Sequence, residues 1–142
     1  MAAHLLFACF PAPSDRAARE WMRAVDDVVA SHEGELATSR DSGTPEPAVG
    51  WRLMSDNHRE IARACRFFAS ESRARADAAA LLGRTADLVV HPWRQPRVRT
   101  TGWFVTLDRD LAMIGARRYE NRSLARNAGA LAVRLLDDLS KR

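Results

Sequence analysis

The dipeptide Gly-Trp occurs at Gly50-Trp51 and again at Gly102-Trp103, and it opens two similar runs, GWRLMSDNHREIARACRFF and GWFVTLDRDLAMIGARRYE. Each continues as a half-apolar strand, and an aromatic ring, Phe67 or Tyr119, stands sixteen residues after the Trp. At an offset of 52, Leu53 falls on Val105, Ala64 on Ala116, Arg66 on Arg118 and Phe67 on Tyr119. Toward the following helices the offset becomes 51, where Ser72 meets Ser123, Ala74 meets Ala125 and Arg75 meets Arg126. A fixed period of this kind marks a supersecondary unit used twice. The lost residue is expected between strand and helix, where loops tolerate deletion. A hairpin and helix of ~35 residues alone bury too little apolar surface, whereas two of them sharing a sheet form a core.

The rest of the chain is read around that constraint. LLFACF (Leu5 to Phe10) is a short apolar strand stopped by Pro11 and Pro13. Ser14 is placed to cap a helix Ser14–Ser31, whose Ala18, Trp21, Met22, Val25, Val28 and Val29 recur at helical spacing before Gly34. So much apolar surface must lie against the repeat domain or against another chain. Ala37 to Gly50 is made of turn formers and small polar residues and reads as a linker. WRLMS and EIARACRFF are strands, Ser72 caps a helix that Gly83 stops, and DLVVHPW closes the first unit as a further strand. WFVTL, a DRD turn and LAMIGARRY precede a last helix, Ser123 to about Leu139, with Leu124, Ala128, Leu131, Leu135 and Leu139 on one face. The expected organisation is an N-terminal strand and helix over 1–36, a linker over 37–49 and a repeat domain over 50–142, with units at about 50–92 and 102–139.

Trp51, Leu53, Asn57, Ile61 and Phe67 follow the order aromatic-x-Leu-x-x-x-Asn-Gly-x-x-Ile with a ring six residues on, His58 replacing the Gly. Trp103, Val105, Met113 and Tyr119 fit a second time, with Arg109 in place of the Asn. This pattern, over about Gly50 to Leu139, resembles the YegP-like tandem repeat, a small domain family of uncharacterised function. The resemblance implies an α+β fold: an antiparallel sheet built from two strand–strand–strand–helix units, with their helices on one face. With its shared sheets and exchanged helices it also implies a homodimer. It implies no reaction.

Net charge +4 and a pI near 10 direct attention to nucleic acid. Yet 21 of the 22 basic residues are Arg, Lys141 being the single Lys, and abundant Ala with Arg is what GC-rich codons produce. The segment HPWRQPRVRTTGW sets Arg94, Arg97 and Arg99 between Trp93 and Trp103, with Arg117, Arg118, Arg122 and Arg126 in the neighbouring unit. Basic side chains among rings hold single strands by phosphate neutralisation and base stacking. In an extended segment Arg97 and Arg99 share a face. The plainer reading is that these arginines solubilise the outside while the tryptophans are inside.

The other constellations are weaker. Cys9 and Cys65 lack metal or redox spacing and read as buried free thiols. His4, His32, His58 and His91 stand on four different elements, with no ligand spacing, and no metal or other cofactor is expected. Asp26–Asp27 and Asp137–Asp138 are adjacent on helices and face different directions, and DRD is a hairpin tip. No phosphate loop or nucleophile elbow occurs, so no catalytic residue is assigned. No apolar run approaches the ~20 residues of a membrane span, and the first residues lack the charge and length of a secretory signal. The preferred reading is a non-catalytic binding or scaffold protein of the cytoplasm, presenting the repeat sheet and Arg-rich segment to a macromolecular partner. The alternative is an RNA- or DNA-binding protein using Arg94, Arg97, Arg99, Arg117, Arg118 and Trp93, and the third is a small hydrolase-like enzyme.

Overall fold

Six strands and three helices follow one another in a computed structural model that describes residues 3–12, 14–37 and 44–142. They are β1 (His4–Phe10), α1 (Arg16–Ser31), β2 (Ala48–Met54), β3 (Glu60–Ala64), α2 (Glu71–Leu82), β4 (Val89–Trp93), β5 (Gly102–Leu107), β6 (Asp110–Gly115) and α3 (Arg122–Ser140). The fold is α+β, with all six strands in one antiparallel sheet of order β1-β2-β3-β6-β5-β4. Val89–Trp93, expected to close the first unit, pairs instead with β5, opposite Thr106 to Gly102. β1 holds the matching edge beside β2, so each hairpin is preceded by its outer strand and followed by its helix. Trp51 lies opposite Phe7, and Trp103 opposite Pro92.

Pairing register also moves the point where the offset changes. Met54 pairs with Glu60 around a five-residue turn, whereas Leu107 pairs with Asp110 around Asp108 and Arg109. Counted along the pairing, the offset between matching positions therefore changes at the hairpin tip, not before the helix. Asp108 and Arg109 both take positive φ, 51° and 70°, the conformation of a tight two-residue hairpin. His58, at φ 61°, adopts the backbone a Gly would take. From β3 onward the offset is 51: Phe68, which bridges Val49, corresponds to Tyr119, which bridges Thr101. Phe67 thus matches Arg118.

Side chains alternate across the sheet, so each strand supplies both faces. On one face Trp51 donates to Asp77 of α2 at 2.8 Å, Arg75 of α2 lies over Phe7, and Gly129 of α3 sits against the Trp103 ring. On the other face lies α1. The Trp21 ring occupies the space over Gly50, where a Cβ would meet it at 2.8 Å, and its N–H donates to Ala64 O at 2.8 Å. Phe67 and Phe10 pack on the same ring, at 5.1 and 6.1 Å between centroids. Arg52 and Arg63, like charges paired opposite one another, lie over Trp21, and Glu60 binds Arg63 with two 2.8 Å contacts. Further along α1, His32 meets Phe104 and Trp93 of the second half. With Trp21, Val25 and Val28 buried in the common core, the helix does not need a second chain to cover it.

Several local expectations change. The N-caps are Asp15, Ser70 and Asn121, accepting from the N–H of Ala17, Arg73 and Leu124; Ser14 precedes the first cap, and Ser72 and Ser123 are already helical. The buried face of α3 is Ala125, Gly129, Ala132 and Leu136, one residue beyond the leucine stripe. Small residues bring this helix down onto the Trp103 ring, which leaves Leu124 and Leu131 exposed. Cys65 is buried but Cys9 is exposed on edge strand β1. Of the expected linker, 38–43 lie outside the described residues, Ala37 N donates to Arg109 O, and Ala48 already begins β2.

The two tryptophans differ in one respect. Asp77, seven residues after the α2 cap, accepts from Trp51; the residue at the same spacing in α3 is Ala128, and Trp103 Nε1 is buried with no hydrogen-bond partner among the described residues. A buried donor left unpaired costs about 1–3 kcal/mol. Asp77→Ala is therefore expected to destabilise the protein by about that amount in urea titrations, while Ala128→Asp raises the unfolding midpoint.

Candidate functional site

The basic end of the sheet is built where β4, β5 and β6 meet their outgoing loops. Trp93 is the last residue of β4 and only 7% exposed. The connection that follows is a turn: Val98 N donates to Gln95 O at 3.2 Å, Pro96 sits at its second position and Arg97 takes φ 69°. That is the arrangement Pro followed by a positive-φ residue favours. Arg97 and Arg99 consequently do not alternate as they would in an extended strand. Arg94, Arg97 and Arg99 are exposed on this connection, and Arg117 is exposed after β6. Among the described residues, none of these four has an ion pair or hydrogen bond.

Arg118 is held differently. Its Nε donates to Thr100 Oγ1 at 2.9 Å and Nη2 to Thr100 O at 2.7 Å, which lays the guanidinium 5.3 Å from the Trp93 ring centre. Partial burial lowers its pKa, and Asp27 opposes that shift. The ring expected to stack on a base is therefore already covered by the chain's own arginine, with His32 edge-on at 5.6 Å. Trp93, Arg117 and Arg118 do come together, with Gln95, Gly102 and Asp27, around a hollow of about 240 Å³. Arg94, Arg97 and Arg99 do not line it.

A second hollow, of about 190 Å³, brings together residues the sequence left apart: His32, Glu35, His91, Thr106 and Arg109 around Phe104. His91 stacks on Phe104 at 4.9 Å, and its Nε2 is 2.8 Å from Thr106 Oγ1. His32 Nδ1 is 2.8 Å from Val28 O, and since a carbonyl oxygen can only accept, this nitrogen donates. His4 and His58 form another pair, 5.6 Å apart, at the opposite edge. No group of three or more His, Cys, Asp or Glu among the described residues is arranged to hold a metal ion. The only advance signal for the His32–His91 pair is that His91 shares a strand face with Phe104, which needs the register to be known.

Among the described residues no helix is long and apolar enough to cross a membrane. No family model, curated protein or solved structure matches the chain.

Burial, and then the neighbouring His32, push the His91 pKa below its ordinary value of 6.5, while Glu35 partly offsets this. The unfolded chain takes up this proton more readily than the folded one. The stabilisation is thus complete above 6.5 and is lost as pH falls from there through the folded-state value. Unfolding free energies measured between about pH 5 and 8 are expected to show this loss on acidification, and His91→Asn is expected to flatten it.

Proposed function

We propose that this chain is a non-catalytic binding protein of the cytoplasm that uses its basic end to dock an acidic surface of a protein partner. The observation that carries the reading is the clustering of four exposed guanidiniums, Arg94, Arg97, Arg99 and Arg117, that have no carboxylate partner among the described residues. Arg16, Arg63, Arg75 and Arg84 each rest on an acid; exposed Arg19, Arg73 and Arg134 also have no acid partner among the described residues but stand on three separate helices, so clustering is what marks the basic end. Both sheet faces carry helices, which leaves the loops and edges, not an open sheet, as the presented surface. Nucleic acid is the disfavoured alternative because Trp93, its one stacking ring, is buried under Arg118. Use of one strand–hairpin–helix unit twice, as in the YegP-like repeat, is part of this proposal; it is supported by the pairing of Trp51 and Trp103 with their outer strands. The edge strand β1, with no Asp, Glu, Lys, Arg or Pro, is the surface through which a second copy would add.

The test is titration with a polyglutamate peptide and, separately, with a mixed-sequence single-stranded oligonucleotide, while light scattering follows self-association. Binding of the peptide is expected to weaken steeply between ~50 and ~200 mM salt, and Arg97→Ala with Arg99→Ala is expected to flatten that dependence. Tighter binding of the oligonucleotide, with a log–log salt slope that these two changes reduce by about two, would move the assignment to nucleic acid. Binding of neither at ~50 mM salt refutes the reading.

A further inference from the structure

Gly50 and Gly102 occupy corresponding positions beside their tryptophans, yet the space above them is used in opposite ways. Over Gly50 lies the Trp21 ring, and a Cβ would also meet Phe67 Cδ1 at 3.1 Å, so the seat is filled with carbon. Over Gly102 the nearest atoms are hydrogen-bond donors: a Cβ would lie 2.7 Å from Arg118 Nη1 and 3.2 Å from Trp93 Nε1. Arg118 spends Nε and Nη2 on Thr100 and leaves Nη1 uncommitted. Trp93 is more than nine-tenths buried, and among the described residues its N–H has no partner.

These two donors meet at a glycine that lines the hollow of about 240 Å³, where Arg117 and Gln95 add a free guanidinium and an amide. Val28, Val98 and Ile114 supply apolar wall. Asp27 stands in the same lining, so its charge is set against two arginines and the hollow retains a positive excess. Asp27 forms no ion pair with Arg118, which leaves a partly desolvated cation bonded only to the neutral hydroxyl and carbonyl of Thr100. A guanidinium is held more strongly by a carboxylate or phosphate, where both partners are charged, than by neutral oxygens.

We propose that the hollow over Gly102 is an oxyanion seat, in which a carboxylate or phosphate oxygen accepts from Trp93 Nε1 and Arg118 Nη1 while Arg117 supplies the second positive charge. The proposal deepens the docking reading above, since it names the group on the partner that this end of the sheet would grip, and it rests on that reading only for its biological setting. The glycine is required because a methyl there would stand on the donors.

The test uses the intact chain labelled with nitrogen-15 and follows its four tryptophan indole N–H signals. Inorganic phosphate and acetate are titrated separately, against sodium chloride at equal ionic strength. The expected result is a saturable shift of the Trp93 signal in at least one arm while the Trp21 and Trp51 signals stay fixed. The arm that responds distinguishes phosphate from carboxylate. Arg117→Gln, on the surface, is expected to weaken the response about tenfold, the equivalent of one charge-assisted bond. Gly102→Ala is expected to abolish it with the Trp21 and Trp51 signals unmoved. A Trp93 signal that responds to neither anion beyond chloride overturns the seat, as does a response unchanged in both variants. Failure of this kind with salt-dependent peptide binding intact would remove the seat and leave the docking reading standing.

Discussion

The contact between the Trp21 ring and the bare backbone of Gly50 fixes the position of α1, and the second face of the sheet depends on it. Six antiparallel strands present apolar residues on both sides, so helices on one side alone would leave Ile114 and Phe104 in water. Trp21 covers the first half and, through its N–H on Ala64 O, ties the helix to the sheet centre. From there the helix carries Val25 and Val28 across, and His32 reaches Phe104 on the second half. The connection between two neighbouring strands, β1 and β2, thus becomes a strap over the whole sheet. Substituting a side chain for Gly50 would push the ring off, since overpacking displaces what it meets.

The two glycine seats, at similar places beside Trp51 and Trp103, carry different chemistry. In the first half the residue just before the bridging Phe68 is Phe67, which joins a ring cluster; in the second the residue just before the bridging Tyr119 is Arg118. A guanidinium cannot be buried among carbon without partners, so it folds back on Thr100 and stays partly in water. Where the first half has an aromatic cluster, the second has a basic hollow bordered by a tryptophan. The same divergence appears on the opposite face, where Trp51 has Asp77 and Trp103 has Ala128.

The architecture was legible because Gly-Trp, the strand alternation and the hairpin spacing are local signals repeated in order. Four things were not, each for a physical reason. The phase of the units was misread because a strand belongs to the neighbour it bonds, and DLVVHPW carries no mark of choosing β5. The buried face of α3 was missed because leucines draw attention, whereas close approach to a ring selects Ala125, Gly129 and Ala132. Trp93 looked like a stacking platform because nothing in HPWRQPR announces that Arg118, far along the chain, lies over it. The His32–His91 hollow likewise exists only once α1 crosses the sheet.

If α1 is an integral cover for the sheet, the Trp21 indole N–H should be released only when the sheet itself opens. Native-state hydrogen exchange measures this directly, because the indole proton and the backbone amides are followed in one experiment. The predicted result is an opening free energy for the Trp21 N–H equal to that of the Val105 and Met113 amides in the interior strands β5 and β6, within error, and the same response to low denaturant. Exchange of the Trp21 proton far faster than those amides, through an opening insensitive to denaturant, would show α1 leaving an intact sheet and would contradict the account.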